Sequence, residues 1–232
     1  MQHPLYQRAT YLKSVPTLNL CPEEFEFEVA FAGRSNAGKS SALNTITSQK
    51  SLARTSKTPG RTQLINFFPV DEIRSLVDLP GYGFAKVNVK IKKAWEAGLS
   101  EYIEKRPQLK GIVLLMDSRM PPTEIDLVML EWTQQIGLPV HILLTKSDKL
   151  KKGPAKASLH AIEKLIQEEY PHASVQLFSS LNKQGLLEVW KKLDDWMDYE
   201  AKLIEEKPHQ RHQAEKGTKL GKKKKKTNIR TF

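Results

Sequence analysis

Gly33-Arg34-Ser35-Asn36-Ala37-Gly38-Lys39-Ser40 is the stretch that decides how this 232-residue chain folds. It matches the pattern G-x-x-x-x-G-K-[ST] at every fixed position, and that pattern is typical of phosphate-binding loops. Glycines let the backbone curl so that successive N–H groups point at phosphate oxygens, while Lys39 can reach the β- and γ-phosphates. The hydroxyl of Ser40 is in the position that holds Mg²⁺. The stretch therefore predicts a nucleotide site.

The segments around this loop alternate between strands and helices. Residues 25–32 read as a buried strand before the loop, and residues 41–47 can continue as a helix whose N-terminus favours an anion. Further strands are predicted at 63–70, 73–78, 111–116, 139–144 and 174–178, and helices at 91–106, 124–135, 154–169 and 186–206. This alternation predicts an α/β fold of three layers with helices on both faces. The sheet is expected to have six mostly parallel strands, with one antiparallel strand from the hairpin around Asp71-Glu72.

Two further motifs follow predicted strands, where ligands bind in such sheets. Asp78-Leu79-Pro80-Gly81 has the D-x-x-G form, in which the aspartate contacts Mg²⁺ through water and the glycine N–H meets a γ-phosphate. Thr145-Lys146-Ser147-Asp148 follows the strand at 139–144. The Asp148 carboxylate can accept two hydrogen bonds from guanine, which adenine cannot supply, while the stem of Lys146 packs on the purine face. The order of the motifs predicts a guanine-nucleotide site.

A weaker signal follows the last predicted strand. Phe178-Ser179-Ser180 would place backbone N–H groups near guanine O6, although two serines after a strand are common and this expectation leans on the other motifs. His141 alternates with apolar residues inside a strand, so it is expected to be a sheet residue rather than a ligand. Cys21 is the single cysteine, which excludes an intramolecular disulfide and fits a reducing compartment.

The motifs together resemble those of the EngB (YihA/YsxC) family of bacterial GTPases, within the translation-factor-related class. The resemblance spans about residues 22–198. It includes one further stretch, Thr58-Pro59-Gly60-Arg61-Thr62-Gln63, and extends two of the motifs to Asp78 to Ala85 and Thr145 to Lys149. It implies a P-loop GTPase fold, Mg²⁺, bound GTP or GDP, and a role in assembly of the large ribosomal subunit. The family is also linked to cell division and septation. A cytoplasmic protein that acts as a monomer is expected.

The resemblance assigns roles to individual residues. Thr62 would complete the Mg²⁺ shell with Ser40 and Asp78, and Gly60 to Leu64 would close over the nucleotide, while Lys39, Thr62 and Gly81 would take part in catalysis. The residues expected to bind nucleotide are Gly33, Arg34, Ser35, Asn36, Ala37, Gly38, Lys39, Ser40, Ser41, Gly60, Arg61, Thr62, Gln63, Leu64, Asp78, Leu79, Pro80, Gly81, Thr145, Lys146, Ser147, Asp148, Phe178, Ser179 and Ser180.

Three residues bear on the mechanism. Tyr82 stands where Ras-like enzymes have the glutamine that orients water, so slow hydrolysis and an external activator are expected. Asn36 would help to coordinate K⁺, as in related potassium-stimulated GTPases; the alternative is a loop asparagine with local backbone bonds. Thr145 replaces the asparagine of many GTPases, which is expected to remove a tether to the phosphate loop and to give a modest nucleotide affinity.

Charge divides the chain into three parts. The formal net charge is +11, but the eight basic residues after position 215 leave only +3 for the rest. We expect an N-terminal arm at 1–22, a GTPase domain at 23–206, and a basic, disordered tail at 207–232 that attracts RNA phosphates. Met1 to Arg8 lacks the apolar core of a signal peptide, and no apolar run is long enough to span a bilayer.

Two other functions remain open from the sequence. An RNA-binding assembly chaperone could keep the nucleotide only as a structural ligand and act through the basic tail. A P-loop kinase is disfavoured, because Thr145 to Asp148 favours guanine and the chain has no evident lid for a second substrate.

Overall fold

A seven-stranded sheet runs through the molecule in the order β1-β3-β4-β2-β5-β6-β7. The computed structural model describes residues 2–53, 64–82 and 98–200. The strands are β1 (Lys13–Val15), β2 (Phe27–Gly33), β3 (Ile65–Pro69), β4 (Arg74–Asp78), β5 (Leu109–Asp117), β6 (Val140–Thr145) and β7 (Ala173–Leu177). The helices are α1 (Lys39–Ile46), the described part of α2 (98–105), α3 (Glu124–Gln135), α4 (Lys152–Glu169) and α5 (Leu186–Trp196).

The predicted α/β class is confirmed, with one difference in the number of strands. Strand β3 pairs antiparallel with β1 and β4, and all other pairs are parallel. The seventh strand, β1, comes from the segment predicted as an N-terminal arm. It has only three residues, with Val15 buried and the Ser14 hydroxyl donating to Asn66 Oδ1 at 2.6 Å. A strand this short shows no detectable alternation in the sequence.

Helices cover both faces of the sheet. In β2, Ala30 and Ala32 belong to one apolar cluster, and Val29 and Phe31 belong to the other. Side chains of α2, α3 and α4 pack in the first cluster, whereas those of α1, α5 and the N-terminal residues pack in the second. Because β2 is apolar on both faces, it lies at the centre of the three layers and brings the loop after it to the sheet edge.

The last helix ends earlier than predicted. The sequence predicted a helix over 186–206, but α5 ends at Trp196, and residues beyond 200 lie outside the described part of the chain. Asp198 adopts a φ of 48°, which stops the helix. The guanidinium of Arg74 donates to the carbonyls of Met197 at 2.7 Å and Asp198 at 2.8 Å, so terminal carbonyls find a partner from β4.

His141 is a buried residue of β6, as the sequence predicted. Its Nδ1 lies 2.8 Å from the Ser174 hydroxyl, and its Nε2 lies 2.8 Å from Gln176 Oε1. Nε2 therefore donates to the amide oxygen and Nδ1 accepts from the hydroxyl, which fixes a neutral ring. Burial lowers the pKa of His141 from 6.5 to about 4, and the positive charge of Lys192 adds to this.

This buried ring should make the protein less stable in mild acid. The unfolded chain binds a proton near pH 6.5 and the folded chain only near pH 4. This group therefore costs nothing above pH 6.5, and its cost rises to about 3 kcal/mol as the pH falls to 4. Urea unfolding from pH 8 to 4.5 should show a steeper loss in the wild type than in His141→Gln. Parallel pH profiles would contradict this assignment.

Within the described ranges, no helix has both the length and the apolar character needed to cross a membrane.

Candidate nucleotide-binding site

The predicted site motifs meet at one edge of the sheet. Strands β2, β4, β5, β6 and β7 run parallel, so their carboxyl ends lie on the same side. The phosphate loop follows β2, Asp78 ends β4, Thr145 ends β6, and Phe178 follows β7. This is the edge at which open α/β sheets bind ligands.

The phosphate loop has the backbone that a phosphate site requires. Asn36 has φ 66° and Gly38, the N-cap of α1, has φ 99°, while the Ala37 N–H donates to the Arg34 carbonyl at 3.0 Å. A Cβ at Gly33 would lie 2.8 Å from the Leu115 carbonyl oxygen, so only glycine lets β2 approach β5 here. The N-terminus of α1 follows directly and adds a positive dipole end.

Lys39 and Asp78 form an ion pair at the base of the loop. Their side chains are only 12% and 8% exposed, so both charges are poorly hydrated and each stabilises the other. The Asp78 carboxylate and the hydroxyl of Ser40 at the start of α1 are hard oxygen donors of the kind Mg²⁺ prefers. This donor set fits a magnesium ion.

The D-x-x-G segment lies directly against the phosphate loop. The Tyr82 N–H donates to the Gly33 carbonyl at 3.4 Å, and the Ser35 N–H donates to the Tyr82 carbonyl at 3.1 Å. A Cβ at Gly81 would lie 3.5 Å from the Ser35 nitrogen. Gly81 is therefore held beside the loop, where its N–H can meet a terminal phosphate.

Tyr82 does not project its hydroxyl into this site. Its side chain is buried in the core cluster, and its hydroxyl donates to Asp126 Oδ1 at 2.9 Å. The other oxygen of Asp126 accepts from the N–H and hydroxyl of Thr123, which caps α3. Burial, followed by the Asp126 charge, raises the pKa of Tyr82 well above 10. In this arrangement the side chain anchors the D-x-x-G segment to α3.

Asp148, which the sequence predicts to bind guanine, is held in place by a hydrogen bond. Its Oδ1 accepts a 2.6 Å hydrogen bond from the Ser179 hydroxyl, and its Oδ2 lies 3.9 Å from Lys149 Nζ. Ser179 is fully buried, and its oxygen also accepts from the N–H groups of Leu181 and Asn182. The segment after β7 therefore fixes the carboxylate that the sequence assigned to guanine.

Neighbouring residues hold this end together. The Ser147 hydroxyl lies 3.0 Å from both the Phe178 carbonyl and Gln184 Oε1, and the Ser147 N–H donates to the same carbonyl at 3.2 Å. Thr45 Oγ1, on α1, lies 3.5 Å from the Ser180 carbonyl. The β6 and β7 loops therefore form one connected unit that reaches the helix after the phosphate loop.

Lys146 connects the segment after β6 to the phosphate loop and to the end of β5. Its Nζ donates to the Asn36 carbonyl at 2.7 Å and to Asp117 Oδ2 at 2.9 Å. Asp117, at the end of β5, was not predicted as a site residue. Its pKa lies well below the usual range, first because of the paired Arg119 and then because of Lys146. The sequence signal that could have identified Asp117 was its position, since it is an acidic residue at the carboxyl end of a central strand.

The expected loss of the tether at Thr145 is wrong. Thr145 Oγ1 lies 2.6 Å from the Ala37 carbonyl of the phosphate loop and 3.0 Å from the Met116 carbonyl. A β-branched hydroxyl at the end of β6 is close enough to bond the loop, so a long amide is not needed. The expectation of modest nucleotide affinity therefore loses its structural reason.

Thr145→Val should weaken nucleotide binding. The change keeps the side-chain shape but leaves the buried Ala37 carbonyl without its donor, which costs about 1–3 kcal/mol. We expect about tenfold weaker GDP binding by titration calorimetry, since about 1.4 kcal/mol is a factor of ten. Thr145→Ser keeps the hydroxyl and should bind GDP like the wild type. Equal affinities for all three proteins would show that the tether is not needed.

Leu181 is a second residue that the sequence did not assign. It follows the serines after β7, and its side chain is 77% exposed. Its N–H is held by Ser179, which also holds Asp148. The backbone of Leu181 is therefore held by the same serine that orients Asp148.

The remaining predicted residues divide into two groups. Leu79 and Pro80 are buried, Leu64 is half-buried and Ser41 is exposed. Gly60, Arg61, Thr62 and Gln63 lie outside the described residues, so their predicted roles stay predictions. Among residues 2–53, 64–82 and 98–200, no group of three or more His, Cys, Asp or Glu side chains could hold a metal by itself.

Comparison with known proteins agrees with this geometry. The profile of a family described as "50S ribosome-binding GTPase" matches residues 28–146. The "Probable GTP-binding protein EngB" of Hydrogenovibrio crunogenus is 73% identical over 200 residues, which cover 86% of this chain and 94% of that protein.

Two solved structures share the fold. A crystal structure of a probable GTP-binding protein engB has a TM-score of 0.61 at 19% identity and covers 74% of this chain and 98% of that one. A GTP-binding protein from Sulfolobus solfataricus in complex with GDP has a TM-score of 0.52 at 21% identity and covers 74% and 52%. With the motifs converged at one sheet edge and most of its length matched to a curated relative, the chain belongs to the EngB family of P-loop GTPases.

Proposed function

We propose that this protein is a slow GTPase switch that acts in assembly of the large ribosomal subunit. One observation carries the proposal. The site has a phosphate loop with Lys39 at one end and Asp148, held by Ser179, at the other. The name of the matching family, a 50S ribosome-binding GTPase, supports the choice of partner. A cytoplasmic location and a monomeric state belong to this proposal.

The site residues divide the work between them. Asp148 selects the base, and the loop amides with Lys39 bind the phosphates and stabilise the charge of the transferring group. Magnesium, held by Ser40, Thr62 and water on Asp78, would supply further charge stabilisation when bound. Gly81 sits where its N–H can sense a terminal phosphate, and Thr62 is the residue proposed to sense it from the other side.

The position of Tyr82 supports slow hydrolysis. Its hydroxyl donates a hydrogen bond to Asp126, and its ring is buried. The Tyr82 side chain therefore does not orient an attacking water in this arrangement. Ras, which does carry a glutamine here, turns over at only about 10⁻⁴ s⁻¹ without an activator. We therefore expect the ribosomal particle to act as the activator.

Potassium is a candidate for part of that activation. The exposed Asn36 uses its carbonyl to hold Lys146, and its side-chain amide makes no hydrogen bond within the described residues. The amide oxygen is therefore available to a cation. We expect GTP turnover in K⁺ to exceed that in Na⁺, at equal ionic strength, by about tenfold or more, since an arginine finger is worth 10³ or more. Identical rates in K⁺ and Na⁺ would exclude a role for K⁺ in hydrolysis.

Co-sedimentation with ribosomal subunits and precursors tests the proposed function. A switch should bind large-subunit particles more tightly with a non-hydrolysable GTP analogue than with GDP, and Thr62→Ala should bind GDP normally but lose the GTP-state complex. Equal particle affinities in both nucleotide states would favour the RNA-binding chaperone instead. The same measurement after deletion of the tail from Lys216 separates the tail's contribution from that of the domain.

A further inference from the structure

The first turns of α4 carry exposed lysines that the nucleotide site does not use. Lys151 is the N-cap of α4, and Lys152 and Lys156 follow on the helix. All three are exposed, and within the described part of the chain their side chains have no ion-pair or hydrogen-bond partner. We call these three residues the α4 lysine surface.

The two halves of α4 differ in whether their charged side chains form ion pairs. In the second half, His160 lies 3.6 Å from Glu163 and Lys164 lies 3.8 Å from Glu168. In the first half, residues 151–159 include three lysines and no acid. The second half therefore balances its charges locally, and the first half does not.

Local energetics disfavour the arrangement in the first half. The positive end of a helix dipole repels cations, and the first turn of α4 contains no acid. Lys152 and Lys156 are also four residues apart, so two like charges face each other on one side of the helix. A sequence that departs from local preference in this way is expected at a functional surface. The charges are best explained by an anionic partner outside the chain.

The α4 lysine surface lies beside the nucleotide site. Lys151 follows Asp148 by three residues, and the Ser158 hydroxyl donates to the Ser118 carbonyl at 2.9 Å, which holds α4 against the loop after β5. The surface between the lysines is open: Gly153 and Pro154 are exposed, and a Cβ at Gly153 would meet nothing within 4 Å. An open surface of this kind fits an extended polyanion better than a small enclosed ligand.

We propose that the α4 lysine surface binds the sugar-phosphate backbone of ribosomal RNA. This inference rests on the proposed function and names a docking surface for it within the described domain, separate from the basic tail. Exposed lysines that have no aromatic side chain beside them to stack on bases bind phosphates. Such contacts position a protein on RNA but do not recognise its sequence. The surface therefore orients the nucleotide site on the particle and adds affinity that salt can screen.

Matched variants test the assignment. Lys151→Gln, Lys152→Gln and Lys156→Gln are combined in one protein, and Lys105→Gln, Lys164→Gln and Lys191→Gln in a control that loses the same charge from exposed positions elsewhere. Binding of the full chain to purified large subunits is measured with a non-hydrolysable GTP analogue at several salt concentrations. The α4 variant should bind about tenfold more weakly at low salt, and its slope of log affinity against log salt should fall by about 2. The control and the GDP affinity of both variants should stay near wild type.

The outcomes separate the inference from the proposed function. Equal affinities and equal salt slopes for the α4 variant and its control would overturn the docking surface while leaving the switch intact. A photo-cross-linking amino acid in place of Lys152 should join to RNA, and joining only to a ribosomal protein would also overturn the assignment. A wild-type protein that binds no particle in any nucleotide state would refute the proposed function, and the docking surface with it.

Discussion

Arg106→Met should lower the free energy of unfolding by about 3–5 kcal/mol, because it leaves a buried carboxylate without its cation. Glu28 on β2 is fully buried, and its Oε1 lies 2.6 Å from a guanidinium nitrogen of Arg106. The Arg106 Nε lies 3.1 Å from the other oxygen, and the Tyr102 hydroxyl donates to it at 2.8 Å. Arg106 also donates to the Pro22 carbonyl. This cluster ties the start of β2 to the end of α2.

Two controls separate the buried charge from a general effect. Lys105→Met changes a neighbouring cation whose side chain is 64% exposed and pairs with Glu101, so it should change stability by about 0.5 kcal/mol at most. Glu28→Gln combined with Arg106→Met removes both charges and should recover part of the loss. Urea unfolding gives all three values. A loss in Arg106→Met no larger than that in Lys105→Met would refute the role of the cluster.

The central part of the fold could be predicted from local patterns. Helix α3 was predicted with its observed bounds, and its Thr123–Asp126 capping box marks the start that the sequence suggested. The Glu28–Arg106 pair could not be predicted, because its members lie 78 residues apart and each alone reads as an ordinary polar position. The short strand β1 was missed for the same reason, since only its pairing with β3 defines it.

In the site, too, motifs predict some residue positions, whereas other contacts depend on how the strands and loops pack. The positions of the phosphate loop, Asp78 and Asp148 follow from motifs with fixed spacing. The bond of Thr145 to the phosphate loop does not, because it depends on the distance between β6 and a loop 108 residues earlier. Asp117 carries no motif, so its contact with Lys146 appears only when β5 is placed beside β6.

Asp148→Asn should reverse the base preference of the protein. The carboxylate can accept two hydrogen bonds from guanine, and each such charge-assisted bond contributes about 1.5 kcal/mol or more. Losing both should weaken guanine-nucleotide binding by about 100-fold or more. Asparagine presents an amide that donates to the 2-keto group of xanthine, while its oxygen can still accept from Ser179. Xanthosine nucleotides should therefore bind the variant better than guanosine nucleotides do.

Competition against a fluorescent GDP tests the central claim, that Asp148 and the phosphate loop bind opposite ends of one guanosine nucleotide. For the wild type, GDP should displace the probe at about 100-fold lower concentration than XDP or ADP. With a fluorescent XDP as probe for Asp148→Asn, XDP should compete better than GDP. The same order of GDP, XDP and ADP in both proteins would contradict the claim.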